Sequence, residues 1–147
     1  MGKMDQEIIR LSVIMPLYNK AAYVEKAIHS VLGQTYPHFE LIVVNDGSKD
    51  NSAEIASNLL EGVQNARLIN QENAGVAVAR NNGVAQAKGD YVCFLDADDW
   101  WDVSFLQEMQ QFIKDYPDAG IWGTNYWYVK KGKTHIAVPC ETGYINY

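Results

Sequence analysis

Cysteine is nearly absent from this sequence of 147 residues, and long apolar runs are absent altogether. Two cysteines, Cys93 and Cys140, cannot build a disulfide framework, and neither stands in a CxxC or Cys/His spacing. Cys93 lies inside the apolar run Tyr91–Leu95 and reads as a small buried hydrophobe. The histidines His29, His38 and His135 are isolated from one another and from cysteine, which argues against a zinc site. No stretch approaches the ~20 consecutive apolar residues that span a bilayer. Met1–Gln6 has no apolar core of a signal peptide, and the myristoylation pattern fails at Gln6. The chain therefore reads as cytoplasmic, with membrane association left open. Positive charge is also scarce, 12 Lys and Arg against 18 Asp and Glu, for a formal net charge of −6. A nucleic-acid backbone would meet net repulsion, so nucleic acid is not an expected partner. A nucleotide held through a metal ion stays compatible, because the cation supplies the missing charge.

The 48% apolar and 20% charged residues are those of an ordinary globular protein, and the length suits one domain over residues 1–147. Short apolar runs alternate with amphipathic stretches. Strands are expected at Leu11–Leu17, Leu41–Val44, Ala66–Ile69 and Tyr91–Leu95, and helices at Ala22–Leu32, from an Asn51-Ser52 cap to Leu60, at Val76–Ala87 and at Ser104–Tyr116. Val43-Val44 and its neighbours are apolar without alternation, as in a parallel strand covered on both faces. The β-α order predicts an α/β fold: an open, mostly parallel sheet with right-handed crossovers and helices on both faces. After Ile121 the aromatic segment around Trp127, Tyr128 and Ile136 suggests a hairpin.

Ligands of open α/β sheets bind beyond the carboxyl ends of the strands, where the strand order reverses. The first strand ends in Tyr18-Asn19 with no glycine nearby, which excludes a GxGxxG dinucleotide turn, and no Walker loop is present. Asp96-Ala97-Asp98 leaves the fourth strand. Two carboxylates one residue apart suit a hard cation shared with a diphosphate, yet the same acids also suit a turn that caps the next helix. Asp46 of Asn45-Asp46-Gly47-Ser48 can accept a bond from a base N–H or a sugar hydroxyl, or serve only its own turn. Arg80 can reach a nucleotide, pair with Asp46 or Asp96, or lie in a surface salt bridge. Tyr18 offers a ring for stacking, and Trp100-Trp101 carry no specific signal.

The order of these segments is more informative than any one of them. Val13–Asn19, Val31–Tyr36, Leu41–Ser48, Asn73-Ala74-Gly75, Ala79–Gly83, Ala87–Tyr91 and Phe94–Asp99 together closely resemble family 2 glycosyltransferases over about residues 11–102. The resemblance implies a GT-A fold and an inverting, metal-assisted sugar transfer from a nucleotide-sugar donor, a UDP- or dTDP-sugar. It places Pro16 and Tyr18 beside the base, Asp46 on the uracil or thymine, and Arg80 at the border of that pocket. It also puts Asp96 near the ribose and Asp98 on a divalent metal, Mn²⁺ or Mg²⁺. Position 45, commonly Asp in the family, is Asn here. The acceptor, a glycan or a lipid-linked molecule, and the catalytic base belong to a region beyond Asp102 for which no matching segment is found. On this reading the acceptor region is missing, the chain alone transfers little or no sugar, and an uncovered apolar face invites self-association. Its pathway would be polysaccharide or surface-glycan synthesis. The alternative is a non-catalytic nucleotide-binding fragment. Receiver-type and haloacid-dehalogenase-like phosphotransfer fit less well, because their key Asp follows a different strand.

Overall fold

The computed structural model describes residues 8–124 and the backbone of residues 127–130 and 133–136. Cys140, Tyr126, the Met1–Gln6 segment and the end of the chain, all considered above, lie outside these residues. The chain divides into two compact units, Met1–Gln111 and Phe112–Tyr147.

The first unit is built on a four-stranded parallel sheet in the order β3-β2-β1-β4. Its strands are β1 (Leu11–Leu17), β2 (Phe39–Asp46), β3 (Ala66–Gln71) and β4 (Tyr91–Phe94). Every residue of β1 is buried, and so are Leu41–Asp46 of β2, as the unbroken apolar runs require. The chain moves from β1 outward to β3 and then returns to the other side of β1 for β4. The strand order therefore reverses between β1 and β4.

Four helices separate these strands and follow the last one: α1 (Val24–Leu32), α2 (Ser52–Leu60), α3 (Val76–Ala85) and α4 (Phe105–Asp115). Right-handed crossovers place α1 and α2 on one face and α3 on the other, because the winding direction changes after β3. Helix α3 lies on β1 and β2, where Ala79 packs into a cluster with Ile14, Ile42 and Val44. The approach is so close at Gly83 that a Cβ there would stand 2.4 Å from Ile14 Cγ2. Helix α1 buries Val24, Ala27, Ile28 and Val31, one stripe of a 3.6-residue period.

Several boundaries differ from the expected ones for local reasons. Helix α1 starts at Val24 because the Lys20 carbonyl accepts the N–H groups of Tyr23 and Val24 in a preceding turn. Helix α3 stops at Ala85, two residues early, as Gln86 and Ala87 bond three residues back and tighten the last turn. The start of α2 is not capped by the Asn51 side chain; Asp50 instead accepts from the Ser52 N–H at 3.0 Å and from the Ser52 hydroxyl. Strand β2 gains two residues at each end, and β3 extends through Gln71. Cys93 is half-buried rather than fully enclosed, since β4 pairs with β1 along one edge. Burial still pushes its thiol up to about 11.

In the second unit β5 (Trp127–Lys130) and β6 (Lys133–Ile136) pair antiparallel, Trp127 opposite Ile136, which is the hairpin expected from the aromatic segment.

Candidate functional site at the carboxyl ends of the strands

The loops that leave β1 and β2 are tied together by reciprocal side-chain bonds. Asn19 adopts a left-handed backbone (φ 51°), a conformation Asn tolerates better than most residues. Its N–H donates to Ser48 Oγ at 3.1 Å, and its Oδ1 accepts the Lys49 N–H at 2.7 Å. Next along the chain, the Lys20 N–H donates to Ser52 Oγ at 2.8 Å, and the Ala21 N–H donates to Asp50 Oδ2 at 3.1 Å. Ser52 is fully buried. Four bonds over three consecutive residues make one rigid rim from two loops.

Asp46 ends β2 and is only 3% exposed. Its Oδ1 accepts from Gln71 Nε2 and from the Ala74 N–H, each at 2.8 Å. Its Oδ2 accepts from the Gly75 N–H at 2.9 Å and from Asn73 Nδ2 at 3.3 Å. Burial alone would raise this carboxyl, but the bonds from Ala74, Gln71 and Gly75 outweigh it and hold Asp46 below its ordinary value. The carboxylate thus anchors the 71–75 loop and the start of α3. Gly47 makes room for that loop: its φ is +67°, and a Cβ would lie 2.9 Å from the Asn73 nitrogen.

Arg80, one turn into α3, donates from Nη2 to Asp96 Oδ1 at 2.6 Å and lies with Cζ 5.9 Å from the Phe94 ring centre. Its buried Nε has no hydrogen-bond partner among the described residues. Of the acidic partners open to Arg80, the fold selects Asp96. Across the reversal of strand order, Lys20 Nζ donates to Asp98 Oδ2 at 2.6 Å. Both side chains stay accessible, at 38% and 41%. Asp99 turns back on Asp96 through its N–H. Burial, followed by the neighbouring charges of Asp98 and Asp96, pushes its carboxyl above the ordinary value.

No group of three or more His, Cys, Asp or Glu among the described residues could hold a metal ion unaided. The donor set nonetheless fits a hard divalent cation. Such ions take one or two carboxylates and complete their shell with substrate phosphate and water, and Asp98 presents an accessible carboxylate whose partner in this fold is the mobile-stemmed Lys20.

Tyr18 stands at the same end of the sheet and is 40% exposed. Pro16 does not share that surface; it is buried within β1, opposite Val44 of β2. Trp100 lies under Lys26 Nζ at 3.1 Å, and Trp101 stacks on Phe105 at 4.2 Å, so both rings serve local packing. Two open hollows, of about 360 and 450 Å³, lie at the opposite end of the sheet beside Ala66-Arg67-Leu68 and Gln86-Ala87-Lys88. Neither includes a residue of the strand-end cluster. Residue reasoning missed Lys20, and it named Asn73 only within the segment Asn73-Ala74-Gly75. Lys20 carried one usable signal, a charge placed directly after a strand that ends at the reversal point.

The model of "Glycosyl transferase family 2" matches residues 12–138. This chain belongs to that family. Glycosyltransferase GlyA of Streptococcus pneumoniae is 40% identical over 118 residues, covering 80% of this chain and 17% of GlyA. Among solved structures, residues 1–349 of Staphylococcus aureus TarS in complex with UDP-GlcNAc superpose with a TM-score of 0.68 at 30% identity, covering 74% of this chain and 32% of that fragment. The mannosyltransferase PcManGT of Pyrobaculum calidifontis, in complex with GDP-Man and Mn²⁺, gives the same TM-score at 27% identity, over 74% of this chain and 33% of that one. The chain therefore spans about a third of PcManGT and of the TarS fragment, 20% of TarS and less than a fifth of GlyA. Family 2 chains are glycosyltransferases, and the open parallel sheet with helices on both faces is the GT-A arrangement. Among the described residues no helix is long and apolar enough to cross a membrane.

Proposed function

We propose that this chain forms the donor-nucleotide end of a family 2 glycosyltransferase site, where a sugar passes from a UDP- or dTDP-sugar to an acceptor hydroxyl with inversion. The observation that carries this reading is the convergence of Tyr18, the Arg80–Asp96 pair and the Lys20–Asp98 pair beyond the ends of β1 and β4. The UDP-GlcNAc of TarS and the GDP-Man of PcManGT support a nucleotide-sugar as the ligand. TarS, at 30% identity, favours uracil or a related pyrimidine as the base.

In this reading Tyr18 offers its ring face to the base. Arg80 holds Asp96 toward the ribose, and Asp46 shapes the pocket wall through the 71–75 loop. Asp98 would hold the divalent ion, Mn²⁺ or Mg²⁺, which when bound supplies positive charge for the leaving diphosphate. The acceptor hydroxyl, on a glycan or a lipid-linked molecule, attacks the anomeric carbon as the bond to the diphosphate breaks. The base that takes its proton comes from outside the residues named here. Synthesis of a polysaccharide or surface glycan is the corresponding role.

Calorimetric titration with UDP, with and without Mn²⁺, tests the reading on wild type and Asp98→Ala. Metal-dependent binding in wild type that falls at least tenfold in Asp98→Ala is the expected result. Binding by wild type that is indifferent to Mn²⁺ and to the substitution would refute the assignment of Asp98.

A further inference from the structure

The cation already in place at Asp98 is the Lys20 ammonium. Its backbone N–H is fixed by the buried Ser52 hydroxyl, and its carbonyl starts the turn that leads into α1. The residues on either side, Asn19 and Ala21, are bound to the β2 loop. The Cα of Lys20 is therefore held by two loops while its side chain reaches across the reversal point to the loop after β4. Three acidic side chains, Asp96, Asp98 and Asp99, crowd that loop, and Arg80 neutralises only Asp96. Lys20 is the positive group that balances Asp98.

We propose that Lys20 is an exchangeable counter-cation: it pairs with Asp98, yields that carboxylate when a divalent ion binds, and then turns to the diphosphate oxygens of the donor. The proposal rests on the assignment of Asp98 to the metal made above. Its physical basis is charge balance. A carboxylate shared by Lys20 and a divalent ion gains little from holding both, since the two cations repel at short range. A flexible four-carbon stem on a fixed backbone lets the ammonium move to a nearby phosphate, which it binds as a point charge. Lys20 thus acts in opposite directions on two equilibria. It competes with the metal alone, and it favours the diphosphate once the metal is bound.

That opposition gives the test. Mn²⁺ binding to the protein is followed by loss of the free-ion electron paramagnetic resonance signal, and UDP binding by calorimetry in saturating Mn²⁺. Lys20→Met is expected to bind Mn²⁺ alone about 2- to 5-fold more tightly, the range released by breaking a partly exposed ion pair. The same variant should bind UDP in Mn²⁺ at least 5-fold more weakly, and Lys20→Arg should restore both toward wild type. A purely structural role would weaken both affinities together, and that outcome overturns the proposal. Mn²⁺ affinities that are equal in wild type and Lys20→Met, or absent in both, overturn it as well. Asp98→Asn separates the two levels. If it loses Mn²⁺ while Lys20→Met shows no opposed changes, the metal assignment stands and the exchange fails. If Asp98→Asn binds Mn²⁺ like wild type, the metal assignment itself is wrong. Thermal unfolding of each variant confirms that the compared proteins are folded.

Discussion

At the scale of single residues, the strand-end carboxylates divide into two kinds. Asp46 is enclosed and spends all its acceptor capacity on Gln71, Asn73, Ala74 and Gly75, whereas Asp96 and Asp98 each bond one cationic side chain and stay accessible. Asp46→Asn would turn an amide NH₂ toward at least one backbone donor, and bonds to a charged acceptor are worth about 1.5–3 kcal/mol. Urea unfolding should show a loss of about 2–3 kcal/mol for that variant, whereas Asp98→Asn should lie within about 0.5 kcal/mol of wild type, as for an accessible pair. Asp46, Asp96, Asp98 and Arg80 were legible in the sequence because each stands where an expected strand or helix meets the ligand end of a sheet. What that argument could not supply was partner choice. Asp46 and Asp96 were equal candidates for Arg80 until the fold brought its guanidinium within 2.6 Å of Asp96. Lys20 escaped notice because its partner lies 78 residues away, across loops whose paths depend on Ser48, Asp50 and Ser52.

At the scale of elements, α3 shows how packing and site are joined. Its weak amphipathic pattern of small residues becomes intelligible only against the sheet, where Ala79 and Gly83 allow contact with Ile14 and Val44. Gly83→Ala should gain some helix propensity yet lose more through the clash with Ile14, for a net cost of about 1–3 kcal/mol in denaturant unfolding. Since α3 also carries Arg80, the variant should bind UDP more weakly, which calorimetry can follow. The start of α4 depends on α1 in a similar way. Gln34, 8% exposed, donates to the carbonyls of Ser30 (2.9 Å) and Asp102 (2.6 Å) and accepts the Leu106 N–H at 2.8 Å. Gln34→Leu would strand the Leu106 N–H and the Asp102 carbonyl, and should cost about 1–3 kcal/mol by the same unfolding assay. Element order was readable from apolar periodicity, while boundaries moved by a few residues wherever a turn bond, such as Lys20 to Tyr23, competed with the helix.

For the molecule as a whole, the buried Asp46 and the half-buried Glu40, at opposite ends of the sheet, both contribute to acid stability. At the amino end Glu40 accepts from Ser12 Oγ, Arg67 and the Lys88 N–H; burial opposes its ionisation, but these bonds prevail and lower its carboxyl from 4.5. Asp46 is lowered from 3.8 at the other end. A carboxyl lowered by folding stabilises the native state above its unfolded value and loses that contribution as pH falls through its native one. Melting temperature should therefore hold steady down to the unfolded value of 4.5 and fall progressively below it, and Glu40→Gln should flatten the upper part of that fall. The rim formed by the β1 and β2 loops has a separate consequence, in time rather than in energy. Because Asn19, Lys20 and Ala21 are each secured to residues 48–52 by bonds internal to the fold, that wall has no slow rearrangement to complete on encounter. Arrival of the nucleotide should then be a single fast phase whose rate rises linearly with concentration, and differences between nucleotides should be written in how long each one stays.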